Sequence, residues 1–461
     1  MSFILYDIIF LVLFTLAVAI FLYKRKHNLK REGLLFLYRT KVGIKVIDSI
    51  TQKFSRILKP MQYLIIGCGY ALMIAIIGIF IRFAYFYLTS SEAVKALKVP
   101  VIMPLIPYLP DLFNIEFLPP FYFTYWILII AVIAVSHEFA HGIFMRLNKI
   151  RILSTGFGFL GPFLAAFVEQ DEKQMKKAKK FSQLSILAAG TFANVLATIV
   201  FGLILWLFFV SAFTPAGVNF NTYSVSMINV SAISAISFLS PETPQNFTFA
   251  MISAGNRTYF ADKGVLEAIN ASKTDSIAVF DDSPAFNAKL AGAIAEINGK
   301  KILSLDELNK TLSSYKPGDK ITIRTIVKNK TINSYELTLA EKNGRAFLGI
   351  GLIPLKSSGF FSKFYLLLAK IKDPFVYYES KIGDFGIFIF NLLWWITLLN
   401  ISVALMNMLP AGMFDGGRFF YLTILGITKK EKIAKWVYRI STWTLLILVA
   451  FMIIRWIFAF L

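Results

Sequence analysis

Six long apolar stretches divide the chain and are separated by more polar segments. A helix needs about 20 apolar residues to cross the roughly 30 Å of hydrocarbon in a bilayer, and each stretch is long enough to do so. The stretches are residues 3–23, 61–88, 121–146, 182–213, 386–408 and 437–460. The pattern predicts a polytopic α-helical membrane protein with about six transmembrane helices, surrounded by a lipid bilayer.

The composition supports this prediction. Hydrophobic residues make up 57% of the 461 residues, well above the usual share for a soluble chain of this length. The formal net charge is +21. In a soluble protein this charge would indicate nucleic-acid binding, but here the basic residues are concentrated in short segments between apolar stretches. We therefore expect no nucleic-acid partner.

The distribution of charge predicts an orientation. Residues 24–59 and 146–180 are strongly basic, whereas residues 89–120 carry only two lysines. Because basic loops of membrane proteins stay in the cytoplasm, those first two segments and the turn at 411–436 are predicted to face the cytoplasm. The protein is then expected in the cell membrane as a multi-pass protein, with its N-terminus and the long segment 214–385 outside.

Part of this exterior segment has the pattern of a small folded domain. Residues 320–327, Lys-Ile-Thr-Ile-Arg-Thr-Ile-Val, alternate as in a β-strand and follow a Pro-Gly-Asp turn at 317–319. Residues 283–300 and 305–312 resemble the PDZ domains of membrane and periplasmic proteases, which bind peptide ends or strands at a sheet edge. The resemblance implies an inserted α+β PDZ-like domain at 274–355 with a peptide or protein ligand. The alternative is a domain kept only as a steric plug.

The regions on either side of this domain are less regular. Residues 214–273 are rich in Ser, Asn and Thr and are predicted to form an exterior extension of unknown fold. Between 357 and 385, Phe360, Phe364 and Leu367 recur at near-helical spacing. This spacing predicts an amphipathic helix at the membrane interface, with a plain connector as the alternative.

A short polar motif interrupts the third apolar stretch, where residues 137–141 read His-Glu-Phe-Ala-His. On a helix, His137 and His141 lie on one face about 6 Å apart and can bind one Zn²⁺, while Glu138 is offset by about 100° and can act on water without binding the metal. A charged residue inside a membrane helix costs about 2.5 to 3.5 kcal/mol, which bound zinc can offset. The alternative is a polar helix face that hydrogen-bonds to neighbouring helices.

The fifth apolar stretch supplies a candidate for a third ligand. Catalytic zinc sites have three protein ligands and one open position. Residues 407–416 read Asn-Met-Leu-Pro-Ala-Gly-Met-Phe-Asp-Gly, and Pro410 with the following glycines predicts a helix break at membrane depth. Such a break is tolerated where the backbone is buried in protein or lines a wet cavity. Asp415, directly after the break, is the candidate ligand.

The two motifs together resemble the site-two protease family of intramembrane zinc metalloproteases, peptidase family M50. The family pattern is His-Glu-x-x-His, followed far downstream by Asn-x-x-Pro-x-x-x-x-Asp-Gly, and both parts match at full spacing, with Phe414 where Leu is usual. The resemblance implies a zinc metalloendopeptidase that cleaves transmembrane protein substrates in regulated intramembrane proteolysis. About nine residues separate His137 from the predicted helix end at Arg146, so at about 1.5 Å per residue the active site is expected about 14 Å from the cytoplasmic boundary, toward the cytoplasmic side. It also implies the roles of five residues: zinc ligands His137, His141 and Asp415, water activation by Glu138, and oxyanion stabilisation by Asn407.

Two further stretches resemble features of the same family. Residues 188–194, Ala-Ala-Gly-Thr-Phe-Ala-Asn, resemble its Ala-Gly-Pro-x-Ala-Asn stretch, so Asn194 is a candidate lining residue of the site or, alternatively, a bond to a neighbouring helix. Residues 152–168 resemble its re-entrant β-hairpin with a Gly-x-Gly, here Gly156 and Gly158, which are also candidate lining residues. The hairpin edge would hold an unwound substrate by strand addition, or the segment would only plug the cytoplasmic mouth.

These predictions divide the chain into five parts: two N-terminal membrane helices at 1–120, the first half of the protease core with the His-Glu-x-x-His helix and the hairpin at 121–213, the exterior extension at 214–273, the PDZ-like domain at 274–355, and the second half of the core at 356–461.

Two other functions would account for some of the same features. A catalytically inactive membrane scaffold would keep the PDZ-like domain but would have no need of Glu138. A zinc transporter would also place His and Asp within its helices, but it is expected to show internal repeats, which this sequence lacks. The intact motifs therefore favour the protease.

Overall fold

The computed structural model describes residues 3–33, 35–89, 105–113, 115, 118–238, 249–255, 257–262, 275–327, 331–352 and 372–458. They belong to two compact units. The first, Met1–Leu207 with Ile387–Leu461, is called the membrane unit here, and the second, Phe208–Gly386, the β unit.

The helices are α1 (Phe3–Lys24), α2 (Val42–Thr89), α3 (Leu109–Leu112), α4 (Phe123–Leu147), α5 (Glu172–Lys177), α6 (Lys180–Ala212), α7 (Pro284–Asn287), α8 (Leu305–Ser313), α9 (Gly383–Asn407), α10 (Asp415–Thr428) and α11 (Glu431–Phe458). The strands are β1 (Leu29–Glu32), β2 (Leu35–Thr40), β3 (Ile152–Leu160), β4 (Phe163–Gln170), β5 (Phe213–Val218), β6 (Thr222–Tyr223), β7 (Val225–Asn229), β8 (Ile233–Phe238), β9 (Phe249–Ala254), β10 (Arg257–Asp262), β11 (Ser276–Asp281), β12 (Ala293–Ile297), β13 (Lys300–Lys301), β14 (Lys320–Ile326), β15 (Ile332–Thr338), β16 (Ala340–Lys342), β17 (Arg345–Phe347), β18 (Ile350–Gly351) and β19 (Val376–Ser380).

Within the described residues, six helices are long and apolar enough to cross a membrane: α1, α2, α4, α6, α9 and α11. They confirm six apolar helices at the predicted places. The second, α2, begins at Val42 and so extends beyond the apolar stretch at 61–88. Hydropathy detects only the apolar part of a helix, and the residues before 61 carry many lysines. They are helical because Ile47 and Thr51, one turn apart, are buried on one face.

Helix α4 lies at the centre of the membrane unit. Tyr125, Ile129 and Ile133 follow one another at four-residue spacing and are almost fully buried. They pack in a cluster with Phe121 and Trp395. Toward its C-terminus, α4 joins a second cluster to which α2, α6, α9 and α10 contribute. The helix is therefore enclosed by protein at both ends, which suits the helix that carries the His-Glu-x-x-His motif.

A four-stranded antiparallel sheet with the order β1-β2-β3-β4 belongs to the membrane unit. Strands β3 and β4 form a hairpin in the region predicted to be one. Its position relative to a membrane stays a prediction. Strand β2 pairs with the other edge of β3, although residues 29–40 had been interpreted as part of a loop. The edge of β3 that does not face β4 is therefore already paired with β2. The outer edge of β4 faces α4.

The β unit contains two larger sheets. One has the order β7-β11-β10-β9-β8, and the other has the order β15-β14-β12-β5-β19, with β13 paired to β12. The second sheet packs on α8, whose Leu308 is buried with Ile294 and Ile321. A capping box begins this helix, because Ser304 accepts from the Glu307 N–H at 3.2 Å and the Glu307 carboxylate accepts from the Leu303 N–H at 2.8 Å.

The sheets cross the predicted domain boundaries. Strand β5 lies almost entirely in the predicted extension at 214–273, yet it belongs to the sheet of the predicted PDZ-like region. Strand β11 lies in the predicted PDZ-like region, yet it pairs with β7 in the other sheet. The predicted amphipathic helix falls mostly on residues 353–371, which lie outside the described residues, and its last part contains β19. The segment at 411–436, interpreted as a turn, holds all of α10. The five-part division stays a prediction.

Candidate metal centre

Two histidines of α4 form the base of the site. His137 and His141 are one helical turn apart, so both rings leave the same face of the helix. Their Nε2 atoms are 3.0 Å apart. The two residues are only 8% and 7% exposed. The predicted pairing of these side chains is therefore present in a buried setting.

Asp415 reaches the same point from a distant part of the chain. Its Oδ2 atom lies 3.3 Å from His137 Nε2 and 3.2 Å from His141 Nε2. Helix α9 ends at Asn407 and α10 begins at Asp415, as the predicted helix break requires. The two glycines after Asp415 pack directly on the 408–411 backbone, and a Cβ at Gly417 would lie 2.7 Å from the Ala411 carbonyl carbon. This close contact holds Asp415 against the histidines.

The other ring nitrogen of His141 fixes the tautomer of that ring. His141 Nδ1 lies 2.7 Å from the Ile186 carbonyl oxygen of α6. A carbonyl only accepts, so Nδ1 carries the proton and Nε2 keeps its lone pair. Helix α6 comes this close because Gly190 has no side chain: a Cβ there would lie 2.6 Å from His137 Nε2 and would also collide with His141.

Asn194 of α6 holds the other histidine. Its Nδ2 atom lies 3.2 Å from His137 Nδ1, and its Oδ1 atom accepts from Ser136 Oγ at 3.2 Å. If the amide is given a half-turn, its oxygen instead faces the ring and accepts from Nδ1–H, which leaves the Nε2 lone pair of His137 for a metal. The structure thus brings Asn194 to the site, as a direct neighbour of a candidate ligand.

The three convergent atoms fit a zinc ion. When both rings carry their proton on Nδ1, two Nε2 lone pairs and a carboxylate oxygen face one another, and a cation between these mutually repelling acceptors stabilises them. Ligand atoms about 2.0 to 2.2 Å from a tetrahedral zinc are about 3.3 Å from one another. The observed separations, 3.0, 3.2 and 3.3 Å, match that geometry. Among the described residues, His137, His141 and Asp415 form a group of side chains that could hold a metal ion.

Glu138 does not join this cluster and instead points toward the sheet. Its Oε2 atom accepts a hydrogen bond of 2.9 Å from the backbone N–H of Val168 in β4. The α4–β4 contact continues along the strand to Phe163, whose ring packs edge-on against Trp126 at 5.0 Å. Strand β4 therefore lies along α4 and holds the Glu138 carboxylate.

The remaining predicted site residues are Asn407, Gly156 and Gly158. Asn407 is half-buried at the end of α9, and in the part of the chain that the structure describes its side-chain amide makes no hydrogen bond. Gly156 and Gly158 lie inside β3, where β4 separates them from Glu138. Their backbone is closely packed, since a Cβ at Gly156 would lie 2.7 Å from the Phe167 ring. The lining role of these two glycines stays a prediction.

Three contacts at the site were not predicted from the sequence: the Val168 amide, the Ile186 carbonyl and the close approach of Gly190. Backbone groups leave no signal in a sequence. Gly190 does leave one, because it ends a run of three consecutive small residues, 188–190, within α6. Small residues let membrane helices approach closely, and this run marks where α6 meets the histidines.

Comparison with known proteins agrees with the site. A stretch of 400 residues, 84% of this chain, is 25% identical to an uncharacterized protein of Methanocaldococcus jannaschii and covers 78% of that protein. A stretch of 172 residues, 31% of this chain, is 27% identical to a Fusobacterium nucleatum protein that is named provisionally as a zinc metalloprotease, and it covers 51% of that protein. The family model of peptidase family M50 matches residues 125–448, a range that includes both motifs. The chain therefore belongs to peptidase family M50, the site-two protease family.

Proposed function

We propose that this protein is an intramembrane zinc metalloendopeptidase that hydrolyses peptide bonds of transmembrane protein substrates. The observation that carries the proposal is the convergence of His137, His141 and Asp415 within 3.3 Å beside a carboxylate, Glu138, that is not a ligand. In this proposal the three convergent residues bind zinc. When bound, zinc supplies Lewis-acid chemistry: it polarises the scissile carbonyl and makes water a stronger acid.

Glu138 is the proposed proton carrier. Its Oε2 atom is held by the Val168 N–H, which leaves Oε1 to take a proton from the attacking water. The water oxygen bonds to the carbonyl carbon, the C–N bond then breaks, and the proton passes from Glu138 to the departing amine nitrogen. The side-chain amide of Asn407 is proposed to donate to the oxyanion that forms in between, since it has no competing hydrogen bond among the described residues.

The outer edge of β4 is the proposed substrate-binding edge. A transmembrane helix must be locally extended before a peptide bond is accessible, because its backbone groups are paired within the helix. In an antiparallel ladder, outward-pointing N–H groups recur at every second residue, so Ala166 presents its N–H on the same side as Val168. Because this edge faces α4, an extended substrate pairs with it only where β4 moves away from α4, and it would then lie beside Glu138. The pairing of β2 with β3 supports this edge over the other one.

We also propose that the β unit contains a PDZ-like domain that selects substrates. The support is a cavity of about 690 Å³ between α8 and the strands β17 and β18, with Leu312, Tyr315 and Phe347 in its lining. Leu312→Arg would fill this cavity with a charge, whereas Lys310→Glu changes an exposed position of the same helix. The first substitution is expected to change the ratio of cleavage rates for substrates with long and short exterior parts. The second is expected to leave that ratio unchanged.

The proposed orientation rests on charge alone. The basic segments 24–59 and 146–180 support a cytoplasmic position for the loops beside the candidate site. The N-terminus and the β unit would then lie outside. Labelling of single introduced cysteines in intact cells, in a Cys68→Ser background, tests this: Asp282→Cys in the β unit is expected to react with a membrane-impermeant reagent, and Lys176→Cys is expected to react only after lysis.

The main test is cleavage of a model transmembrane substrate by the purified protein in lipid vesicles. Chelation should abolish cleavage and added zinc should restore it. Glu138→Gln should retain zinc and lose about 10²-fold to 10⁴-fold in turnover, because it removes the base but no ligand. An inactive scaffold would show no cleavage in the wild type, and a zinc transporter would move zinc across the vesicle membrane. Wild-type turnover by Glu138→Gln would refute the proposed mechanism.

A further inference from the structure

Helix α1 contains one carboxylate that is buried against the start of the motif helix α4. Asp7 is 1% exposed. Its Oδ2 atom accepts from the Phe123 N–H at 2.7 Å and from the Tyr108 hydroxyl at 2.6 Å. Its Oδ1 atom accepts from the Thr124 N–H at 3.0 Å and the Thr124 hydroxyl at 2.5 Å. All the donors that surround this carboxylate belong to α4 or to the segment that precedes it.

These contacts make Asp7 an N-terminal cap that comes from another helix. The first backbone N–H groups of a helix have no partner within it, and the helix dipole favours a negative charge there. The residue at the usual capping position of α4, Tyr122, makes no side-chain cap hydrogen bond. Asp7 therefore takes the place of the missing cap, and capping α4 requires α1 to be docked.

Tyr108 keeps its role as a donor over the physiological pH range. Burial raises the pKa of the Tyr108 hydroxyl, and the hydrogen bond to Asp7 and the charge of Asp7 raise it further. The phenol therefore stays protonated and donates to the carboxylate. With this bond, the carboxylate has four donors in a buried place, which satisfies a charge that would otherwise be costly in an apolar protein.

The other end of α1 contacts the sheet that holds Glu138. The ring of Phe21 packs against Tyr38 of β2 at 5.2 Å and against Phe159 of β3 at 5.8 Å. Strand β4 of the same sheet contacts α4 through the bond from Val168 to Glu138. Helix α1, helix α4 and the sheet therefore contact one another pairwise, and each pair includes a contact made by a specific side chain.

We propose that Asp7 is a positioning residue for catalysis: by capping α4 from α1, it fixes the start of α4 relative to the sheet whose strand β4 holds Glu138. The inference rests on the proposed peptidase function. Helix α1 lies outside residues 125–448, so the catalytic unit of this protein extends beyond the region that defines its family. Asp7 touches neither substrate nor metal in this role and acts through the position of α4.

Three substitutions separate capping from other roles. Asp7→Ala removes the cap. Asp7→Asn keeps one accepting oxygen and places an NH2 group where the other oxygen accepted, so it retains only part of the cap. Thr15→Val is the control, because the Thr15 hydroxyl bonds only to the Leu11 carbonyl of its own helix. For zinc-loaded protein, Asp7→Ala is expected to lower kcat by at least about tenfold with an unchanged KM, since small displacements of catalytic groups have effects of this size. Asp7→Asn is expected to lie between Asp7→Ala and wild type, and Thr15→Val is expected to remain near wild type.

A second readout does not depend on activity. In the Cys68→Ser background, cysteines at Trp126 and Phe163 report the contact between α4 and β4, where the native rings are 5.0 Å apart. Cross-linking of the two by a short bifunctional thiol reagent, which spans the space that the native rings fill, should slow markedly in Asp7→Ala and less in Asp7→Asn. If Asp7→Ala does not fold, Thr124→Val, which removes one of the four hydrogen bonds, should show a smaller slowing of the same reaction.

The outcomes distinguish the two proposals. Absence of cleavage by the wild type would overturn the proposed function, yet the cross-linking measurement would still report on Asp7. Unchanged kcat and unchanged cross-linking rate in Asp7→Ala would overturn the positioning role. A loss in Thr15→Val as large as that in Asp7→Ala would also overturn it, because any change in α1 would then have the same effect.

Discussion

The Glu138 carboxylate accepts a hydrogen bond of 2.9 Å from the backbone N–H of Val168. This bond joins the candidate general base on α4 to the outer edge of β4. A carboxylate held through one oxygen has fewer rotamers to populate, so its other oxygen is kept ready for proton transfer. The same bond places the proposed substrate-binding edge directly beside the base.

The first prediction concerns this backbone donor. Val168→Pro removes this N–H but leaves the hydrogen bonds between β4 and β3 intact, because the Val168 N–H points away from β3. We expect zinc content to be retained and kcat to fall by about tenfold or more, since the base is no longer oriented. Steady-state kinetics on protein of measured zinc content provides the check.

Ala166→Pro is the matched comparison, because it makes the same backbone change at the next outward position of β4. Its N–H is proposed to bind substrate and has no contact with Glu138, so KM should rise with little change in kcat. An equal loss of kcat in both variants would show that damage to the strand, and not release of Glu138, causes the effect.

The helices and the metal motif were predictable because both depend on local spacing. Apolar length predicts a membrane helix, and a four-residue interval places His137 and His141 on one face. The pairing of β2 with β3 was not predictable, since β1 and β2 contain Lys30, Arg31 and Arg39 and show no regular alternation. Their strand structure is determined by the open edge of β3, which lies more than a hundred residues away along the chain.

The second prediction concerns metal content. The protein should bind one zinc per chain, and Asp415→Ala should lose most of it, because two imidazoles alone leave too few ligands for a stable site. Glu172→Ala is the control. It removes a carboxylate that forms an ion pair at 3.5 Å with Arg418, which lies on α10 as Asp415 does. Elemental analysis of purified protein measures both variants. Full zinc occupancy in Asp415→Ala would remove Asp415 from the ligand set.

The third prediction concerns the approach of α6 to the site. Gly190→Ala places a methyl group 2.6 Å from His137 Nε2, closer than any packing permits, so the helix or the rings must shift. We expect loss of zinc and of cleavage with the protein still inserted in the membrane. Gly202→Ala in the same helix is the matched control, because its methyl would meet only Thr397 at 3.6 Å, an ordinary contact. Zinc binding and cleavage should be normal in that control, and an equal defect in both would point to a general effect on α6.

The last prediction concerns pH and the β unit. Asp281 accepts from Lys342 at 2.6 Å and from the hydroxyls of Ser224 and Ser226, each at 2.6 Å. Burial alone would raise the pKa of Asp281, but these hydrogen bonds and the charge of Lys342 outweigh it and hold that pKa below its usual value. The carboxylate is therefore more acidic in the folded protein than in the unfolded chain, where an Asp has a pKa of about 3.9.

A folded-state pKa that is lowered stabilises the protein above the unfolded pKa, and this stabilisation is lost as the pH falls through the folded pKa. Asp281→Asn should therefore destabilise the β unit by about 1 to 3 kcal/mol near neutral pH, the usual effect of breaking a buried charged hydrogen bond. The difference between wild type and variant should begin to shrink below about pH 4, where Asp281 of the unfolded chain becomes protonated, and should be lost as the pH falls through the lower pKa of the folded carboxylate. Hydrogen-exchange protection of β7 and β11, measured on the full chain and corrected for intrinsic exchange rates, reports this difference locally.

Asp282→Asn is the matched control, since Asp282 accepts an exposed hydrogen bond from Asn287. This substitution should change protection little, both near neutral pH and below about pH 4. A pH-independent difference between wild type and Asp281→Asn would mean that the packing of the side chain, and not its charge, supports the sheet.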